Sequence, residues 1–62
     1  MIADGEKILL IDEEGRKYLT RAGQNRLHTK FGVVDLAEAI GKEPGLRIKS
    51  HIGQEFVVLR PS

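Results

Sequence analysis

Residues 7–22 read KILLIDEEGRKYLTRA, and this stretch sets the fold class of the 62-residue chain. Lys7–Asp12 holds four consecutive apolar residues, a run that is typical of a short strand. Asp12–Gly15 follows with acidic turn formers and a glycine, which suits a type I turn with Gly15 at positive φ. Arg16–Ala22 then predicts a second strand, with Tyr18 and Thr20 on one face and Lys17, Leu19 and Arg21 on the other. The stretch therefore predicts a β-hairpin.

The rest of the chain carries further short strand segments, each bounded by glycine or proline. A third strand is expected to run until Gly32 interrupts it, and it resumes briefly just beyond. Glu43-Pro44-Gly45-Leu46 fits a type II turn, since proline fixes φ at its second position and glycine supplies positive φ at its third. The segments are Arg26–Lys30, Val33-Val34, Leu46–Ser50 and Glu55–Arg60.

A single short helix is predicted near residues 36–40. Asp35 can accept hydrogen bonds from the first-turn N–H groups, and Glu38 occupies the reciprocal capping-box position. Leu36 and Ile40 are four residues apart and lie on one face. Gly41 can then end the helix at positive φ.

These elements predict a mainly β fold: a small barrel-like domain of five to six short strands with one helix, formed by residues 1–62 as a single domain. The apolar runs ILLI and FVVL would expose apolar side chains on both strand faces. Either the barrel covers both faces, or one face awaits a partner. The expected core is Ile8, Leu10, Tyr18, Leu27, Leu36, Ile40, Ile48, Phe56 and Val58.

The composition argues against catalysis, a metal site and a membrane span. There is no cysteine and there are only two histidines, so a zinc site lacks ligands and no nucleophile–base pair is evident. The glycines are dispersed rather than gathered in a phosphate-binding loop. No apolar run approaches the roughly 18 residues of a membrane span. We interpret the acidic triplet Asp12-Glu13-Glu14 as a solvated hairpin tip rather than a cation site.

The charge distribution is more informative than the net charge of +1. The segment from Arg16 to Lys30 contains five Lys or Arg residues and no acid. On a strand, Arg26, His28 and Lys30 share one face, which we expect to lie beside the preceding hairpin. Such a face could contact several phosphates of a nucleic acid, or it could simply be solvated.

Read in order, the motifs resemble the N-terminal domain of the tRNA (adenine-58-N1)-methyltransferases of the archaeal and bacterial type. The matching elements are DGEKILLIDEEGRKYL, then LHTKFG, then VDLAEAIGKEPGLRIKSHIGQEFVVLRPS. Together they cover essentially the whole chain. Lys30 stands where many relatives have a second histidine, and Asp4-Gly5-Glu6 replaces the more usual Glu-Gly-Asp.

The resemblance implies an accessory role in a cytoplasmic enzyme that acts on tRNA. In the family, the exit strand leads into a domain that binds S-adenosylmethionine (SAM) and holds the catalytic residues. No catalytic, cofactor-binding or metal-binding position therefore maps onto this chain, and no cofactor is expected in it. The sequence resembles either an excised N-terminal domain or a stand-alone relative of one.

Three functional hypotheses follow, none of them enzymatic for this chain alone. The first is a tRNA-binding domain that helps to position the T-loop for methylation. The second is a structural module that docks on the catalytic domain or a neighbouring subunit, with oligomer formation. The third is a generic nucleic-acid-binding β-barrel. The candidate RNA-binding residues are Arg16, Lys17, Arg21, Arg26, His28, Lys30, Lys49 and His51.

Overall fold

A computed structural model describes all residues, 1–62, and contains six short strands. The mainly β fold class is confirmed. The strands are β1 (Lys7–Ile11), β2 (Lys17–Arg21), β3 (Arg26–Thr29), β4 (Gly32–Asp35), β5 (Arg47–Lys49) and β6 (Glu55–Leu59). No helix of the structure is long and apolar enough to cross a membrane.

The strands form two separate antiparallel sheets. Four of them lie in the order β2-β1-β6-β5, whereas β3 and β4 form a two-stranded ribbon. The predicted hairpin of residues 7–22 is confirmed, with Leu9 opposite Leu19 and Leu10 opposite Tyr18. Gly15 has φ 81° and donates its N–H to the Asp12 carbonyl at 3.0 Å, as the turn prediction requires.

The predicted barrel-like arrangement is not confirmed, because the two sheets do not close into a barrel and no ladder joins β2 to β3. Ala22 still pairs with the N-terminal segment through Ala22 N–H to Glu6 O at 2.9 Å and Gly5 N–H to Ala22 O at 2.7 Å. Gly23 and the residues after it then carry the chain out of the sheet. β2 and β5 are thus left as the two edges of the four-stranded sheet.

The segment around Gly32 folds differently from the prediction, since it is a hairpin turn rather than a break in one strand. The chain reverses at Lys30 and Phe31, so that Thr29 lies opposite Gly32. The Thr29 hydroxyl accepts the Phe31 N–H and donates to the Gly32 carbonyl, both at 3.0 Å. Gly32 has φ 111° while neither turn residue has positive φ, so the glycine supplies the positive φ directly after the two-residue turn.

The predicted helix is a single turn of 3₁₀ helix over Leu36–Ala39. Asp35 caps it as expected, because its Oδ1 accepts the Ala37 N–H at 3.1 Å. The side chain of Glu38 makes no return hydrogen bond, so the capping box is not formed. Gly41, at φ 80°, donates its N–H to the Ile2 carbonyl at 2.8 Å and turns the chain away.

The core lies between the two sheets and includes most of the predicted residues. Tyr18, Leu27 and Ile40 are only partly buried against it, which departs from the prediction. Ile2 was missed because a terminal residue gives no periodic signal; its N–H donates to the Lys42 carbonyl at 2.8 Å. The buried apolar set is Ile2, Ile8, Leu10, Ala22, Val34, Leu36, Ala39, Ile48, Phe56 and Val58.

Candidate nucleic-acid interface

An open cleft of about 470 Å³ lies between the β3–β4 ribbon and the turn that joins β5 to β6. β3 contributes alternate residues from its exposed face, and the end of β5 contributes the opposite wall. Only one lining residue, Val33, is apolar, so the cleft is suited to a polar ligand. The lining residues are Arg26, His28, Val33, Asp35, Glu38, Lys49, Ser50 and His51.

His51, an exposed residue of the β5–β6 turn that lines this cleft, connects the two sheets. Its backbone N–H donates to the Val33 carbonyl at 2.9 Å, and its Nδ1 accepts the Val33 N–H at 2.9 Å. An imidazole nitrogen that accepts an N–H carries no proton, so the neutral ring is protonated at Nε2. Only Nε2–H therefore remains for a ligand, and the ring orientation is fixed by the backbone of β4.

Ser50 and Gly32 form the second connection between the sheets. The Ser50 hydroxyl donates to the Phe31 carbonyl at 2.7 Å and accepts the Gln54 N–H at 3.2 Å. This contact requires glycine opposite, since a Cβ at position 32 would lie 2.7 Å from the Ser50 Oγ. Ser50 is thus structural, and its hydroxyl is not free for catalysis.

The charged groups around the cleft are not paired with one another. The ion pairs of the molecule are Met1–Glu43, Lys30–Glu14 and Arg60–Glu6, and none involves a cleft residue. Arg26 and Asp35 lie directly opposite each other in the β3–β4 ladder, yet no ion pair joins them. The cleft therefore presents two cations, two carboxylates and two imidazoles that are open to solvent or to a ligand.

The eight predicted RNA-binding residues divide into groups rather than forming one face. Arg26, His28, Lys49 and His51 line the cleft together. Lys30 bonds Glu14 at 3.1 Å, and its Nζ lies 5.2 Å from the centre of the Phe31 ring. The remaining three cations, which belong to β2 or precede it, lie along the sheet edge opposite β5; they are Arg16, Lys17 and Arg21.

Sequence reasoning assigned Asp35 and Glu38 only to helix capping and so missed their place in the cleft. The strand register could have predicted that Asp35 lies in the cleft, because it places Asp35 opposite Arg26. That register depends on reading Lys30-Phe31 as a turn. Glu38 has no local signal, because its position depends on how the 3₁₀ turn packs.

The outward face of the four-stranded sheet is apolar at its centre and cationic at its rim. Leu9 lies between Leu19 and Leu59, and Ile11 lies beside Val57. Leu19 is 62% exposed and the other four are half-buried. We call these five residues the outer apolar face. The strand residues that surround this face are mostly cationic, and Glu55 is the one acid among them. The cations are Lys7, Lys17, Arg21, Arg47 and Lys49.

Asp12 stabilises the turn between β1 and β2 and is not a free cation ligand. Its Oδ1 accepts the N–H groups of Glu14 and Arg16 at 2.9 Å, and its Oδ2 accepts the Tyr18 hydroxyl at 2.8 Å. Desolvation acts to raise the pKa of Asp12, but the hydrogen bonds outweigh it and hold that pKa below its ordinary value. The same bond raises the pKa of Tyr18.

Glu6 and Arg60 join the two ends of the chain. The guanidinium of Arg60 donates to the Glu6 carboxylate and, through Nη2, to the Met1 carbonyl at 3.0 Å. The hydrogen bond from Arg60 lowers the pKa of Glu6, and the bond from the Ala3 N–H adds to this effect. No group of three or more His, Cys, Asp or Glu residues could hold a metal ion.

Two comparisons place this small β domain among parts of methyltransferases. It is 35% identical over 54 residues to the tRNA (adenine(57)-N(1)/adenine(58)-N(1))-methyltransferase of Methanocaldococcus jannaschii, over 87% of this chain and 18% of that protein. Its fold matches a SAM-dependent O-methyltransferase from Thermotoga maritima with a TM-score of 0.90 and 32% identity, over 98% of this chain and 23% of that one. No protein-family model matches.

The class defined by the fold is thus a small β domain of the kind found within SAM-dependent methyltransferases. The sequence is similar to a tRNA (adenine-57/58-N1)-methyltransferase, which confirms the resemblance inferred from the motifs, and the fold is similar to part of a SAM-dependent methyltransferase. The chain spans about a fifth of the length of the relatives that it matches.

Proposed function

We propose that this chain is an accessory tRNA-binding domain of a SAM-dependent tRNA (adenine-N1)-methyltransferase. The observation that carries the proposal is the 35% identity to such an enzyme over 87% of this chain. This chain corresponds to only 18% of that protein, so the proposal assigns methyl transfer to a separate catalytic domain that binds SAM. The chain would help to hold the tRNA, as the resemblance implies, near its T-loop in the cytoplasm.

The cations of the domain give this proposal its physical basis. Arg26, Lys49 and the two histidines lie together in the cleft, and no acid bonds the side chains of Arg26 or Lys49. Unpaired cations on a strand surface can neutralise phosphates and release condensed counterions, which makes binding sensitive to salt. Contacts of this kind position the nucleic acid without selecting its sequence.

An NMR titration of the ¹⁵N-labelled chain with unmodified tRNA tests the proposal. We expect amide shifts in β3 and around His51 at low salt, and we expect these shifts to diminish as salt is added. The variant Arg26→Gln should weaken binding, whereas Lys42→Gln, outside the cleft, should leave it unchanged. If no resonance in residues 16–30 or 47–51 moves at low salt, the tRNA-binding role is wrong.

A second candidate function, protein docking, is favoured by the outer apolar face. Five aliphatic side chains are contiguous there, and no aromatic ring is present to stack on a base. The cationic rim disfavours a second copy of the same face, because like charges would meet across the interface. The partner that fits is a protein surface with an apolar centre and an acidic rim, and we assign it to the catalytic domain of the methyltransferase.

Two aliphatic side chains of similar exposure, one on the outer apolar face and one away from it, allow a matched test of docking. Leu19 lies on the outer apolar face at 62% exposure, and Ile52 lies in the β5–β6 turn at 59%. We expect Leu19→Lys to weaken association with the catalytic domain by roughly tenfold or more, since it places a charge in an apolar interface. Ile52→Lys should have little effect. Sedimentation velocity with the remainder of the Methanocaldococcus jannaschii enzyme measures both, and equal effects would refute docking through this face.

A further inference from the structure

The chemistry of the cleft is not that of a simple phosphate site. At neutral pH its two cations, Arg26 and Lys49, are balanced by the carboxylates of Asp35 and Glu38. A phosphate would be attracted by the first pair and repelled by the second. A ligand with both hydrogen-bond donors and acceptors would satisfy all four groups, because carboxylates only accept and the cations only donate.

The planar side chains of the cleft narrow the ligand class further. His28, His51 and Arg26 present two imidazoles and a guanidinium, which are surfaces on which an unstacked nucleobase can stack. The Nε2–H of His51 is held in place by the Val33 backbone and is left free to donate to a base carbonyl or ring nitrogen. A volume of about 470 Å³ accommodates a single nucleotide.

We propose that the cleft binds one unpaired nucleotide of RNA and prefers a base that carries an exocyclic amino group. Glu38 accepts a hydrogen bond from that amino group, because its carboxylate has no bond within the protein. Lys49 contacts the adjoining phosphate from the rim of the cleft. Asp35 has one oxygen engaged with the Ala37 N–H and offers the other. This inference rests on the proposed tRNA-binding function and specifies the contact.

Cytosine and uracil provide the sharpest comparison, since cytosine carries an exocyclic amino group where uracil carries a carbonyl, and the adjacent N3 accepts in cytosine but donates in uracil. A carboxylate that faces the exocyclic group attracts the amino group of cytosine and repels the carbonyl of uracil. We expect the chain to bind the RNA pentanucleotide rC5 at least about threefold more tightly than rU5, the factor that one net hydrogen bond predicts. Fluorescence anisotropy with labelled oligonucleotides at low salt measures both affinities.

Two variants separate base recognition from phosphate contact. Glu38→Gln should abolish the preference for rC5, because an amide both donates and accepts and so tolerates either base. Lys49→Gln should weaken the binding of both oligonucleotides equally. It should also reduce the slope of log affinity against log salt concentration by about 0.7, the value for one phosphate contact to a single strand. Glu43→Gln removes an equal charge outside the cleft and should leave the preference intact.

The outcomes distinguish the inference from the proposed function. A preference for rC5 that Glu38→Gln removes and Glu43→Gln retains supports the inference. Equal binding of rC5 and rU5, or a preference unchanged in Glu38→Gln, overturns it while tRNA binding stands. Binding of neither the pentanucleotides nor tRNA overturns the inference and the proposed function together.

Discussion

At the scale of single residues, Gly32 is the position where the fold admits no side chain. Its φ of 111° lies where L side chains are strained, and a Cβ would approach the Ser50 Oγ to 2.7 Å and the Ile52 Cγ1 to 2.9 Å. Both obstacles arise because the β5–β6 turn closes directly over the β3–β4 hairpin. Gly32 therefore serves contact between the sheets as well as the turn itself.

We predict that Gly32→Ala lowers the free energy of unfolding by about 2–4 kcal/mol, since it combines backbone strain with a steric clash. A domain of this size has roughly 3–5 kcal/mol in total, so the variant should be largely unfolded. Gly53→Ala is the matched control. Gly53 also has positive φ, at 86°, but its Cβ would meet nothing within 4 Å.

Urea denaturation followed by circular dichroism measures both glycine variants. We expect Gly53→Ala to lose only about 1 kcal/mol, the cost of positive φ without a clash. Equal losses at the two positions would show that strain alone operates and that the contact with Ser50 is unimportant.

At the scale of elements, the β3–β4 ribbon depends on Ser50 and His51 for its attachment. No ladder links the ribbon to the four-stranded sheet, and a two-stranded ribbon alone is marginal in water. The bonds that join them run from Ser50 to the Phe31 carbonyl and between His51 and both backbone groups of Val33. The candidate RNA cleft is built on this connection, so its geometry depends on these bonds.

We predict that Ser50→Ala lowers stability by about 1–2 kcal/mol, because the nearly buried hydroxyl makes two hydrogen bonds. The loss should be local at first. Amide hydrogen exchange at Val33 should accelerate more than exchange at Leu10 in the central strand β1, with Ser62→Ala as the neutral control. A uniform acceleration over both sheets would mean that ribbon and sheet open only together.

At the scale of the whole molecule, two carboxylates with lowered pKa values govern stability towards acid. Glu6 joins the chain ends through Arg60, and Asp12 holds the first hairpin through Tyr18 and the backbone. A pKa that is lower in the folded chain means that the unfolded chain binds protons more readily. Their stabilisation is therefore present above the ordinary carboxylate pKa of about 4 and disappears as the pH falls through the lower folded values.

We predict that the unfolding midpoint in urea falls as the pH drops from about 5 to 2 and that Asp12→Asn flattens this dependence. The variant should also be less stable at neutral pH, since an amide nitrogen cannot accept the Tyr18 hydroxyl. Asp4→Asn, which changes an exposed carboxylate, is the control. An unaltered pH dependence in Asp12→Asn would contradict the assignment.

The pKa of Tyr18 is raised in the folded chain. The stabilisation that its hydroxyl contributes is therefore present below about pH 10 and declines above it.

Local pattern determined the first hairpin, the turn glycines, the alternation of the strands and the Asp35 cap, because each depends on neighbours within a few residues. The motif order also determined the relationship to tRNA methyltransferases. It did not determine the burial of Ile2, the turn at Lys30-Phe31 or the open sheet edges. Those features depend on contacts between residues far apart in the chain.

The division of the predicted RNA-binding set shows the same limit. Alternation placed Arg26, His28 and Lys30 on one strand face; the structure confirms this for Arg26 and His28, whereas Lys30 lies in the turn beyond β3. Only the tertiary structure decided that their neighbours are Lys49, His51 and two carboxylates rather than the cations of β2. Strand periodicity fixes which way a side chain points, whereas the packing of one sheet on another fixes which side chains it meets.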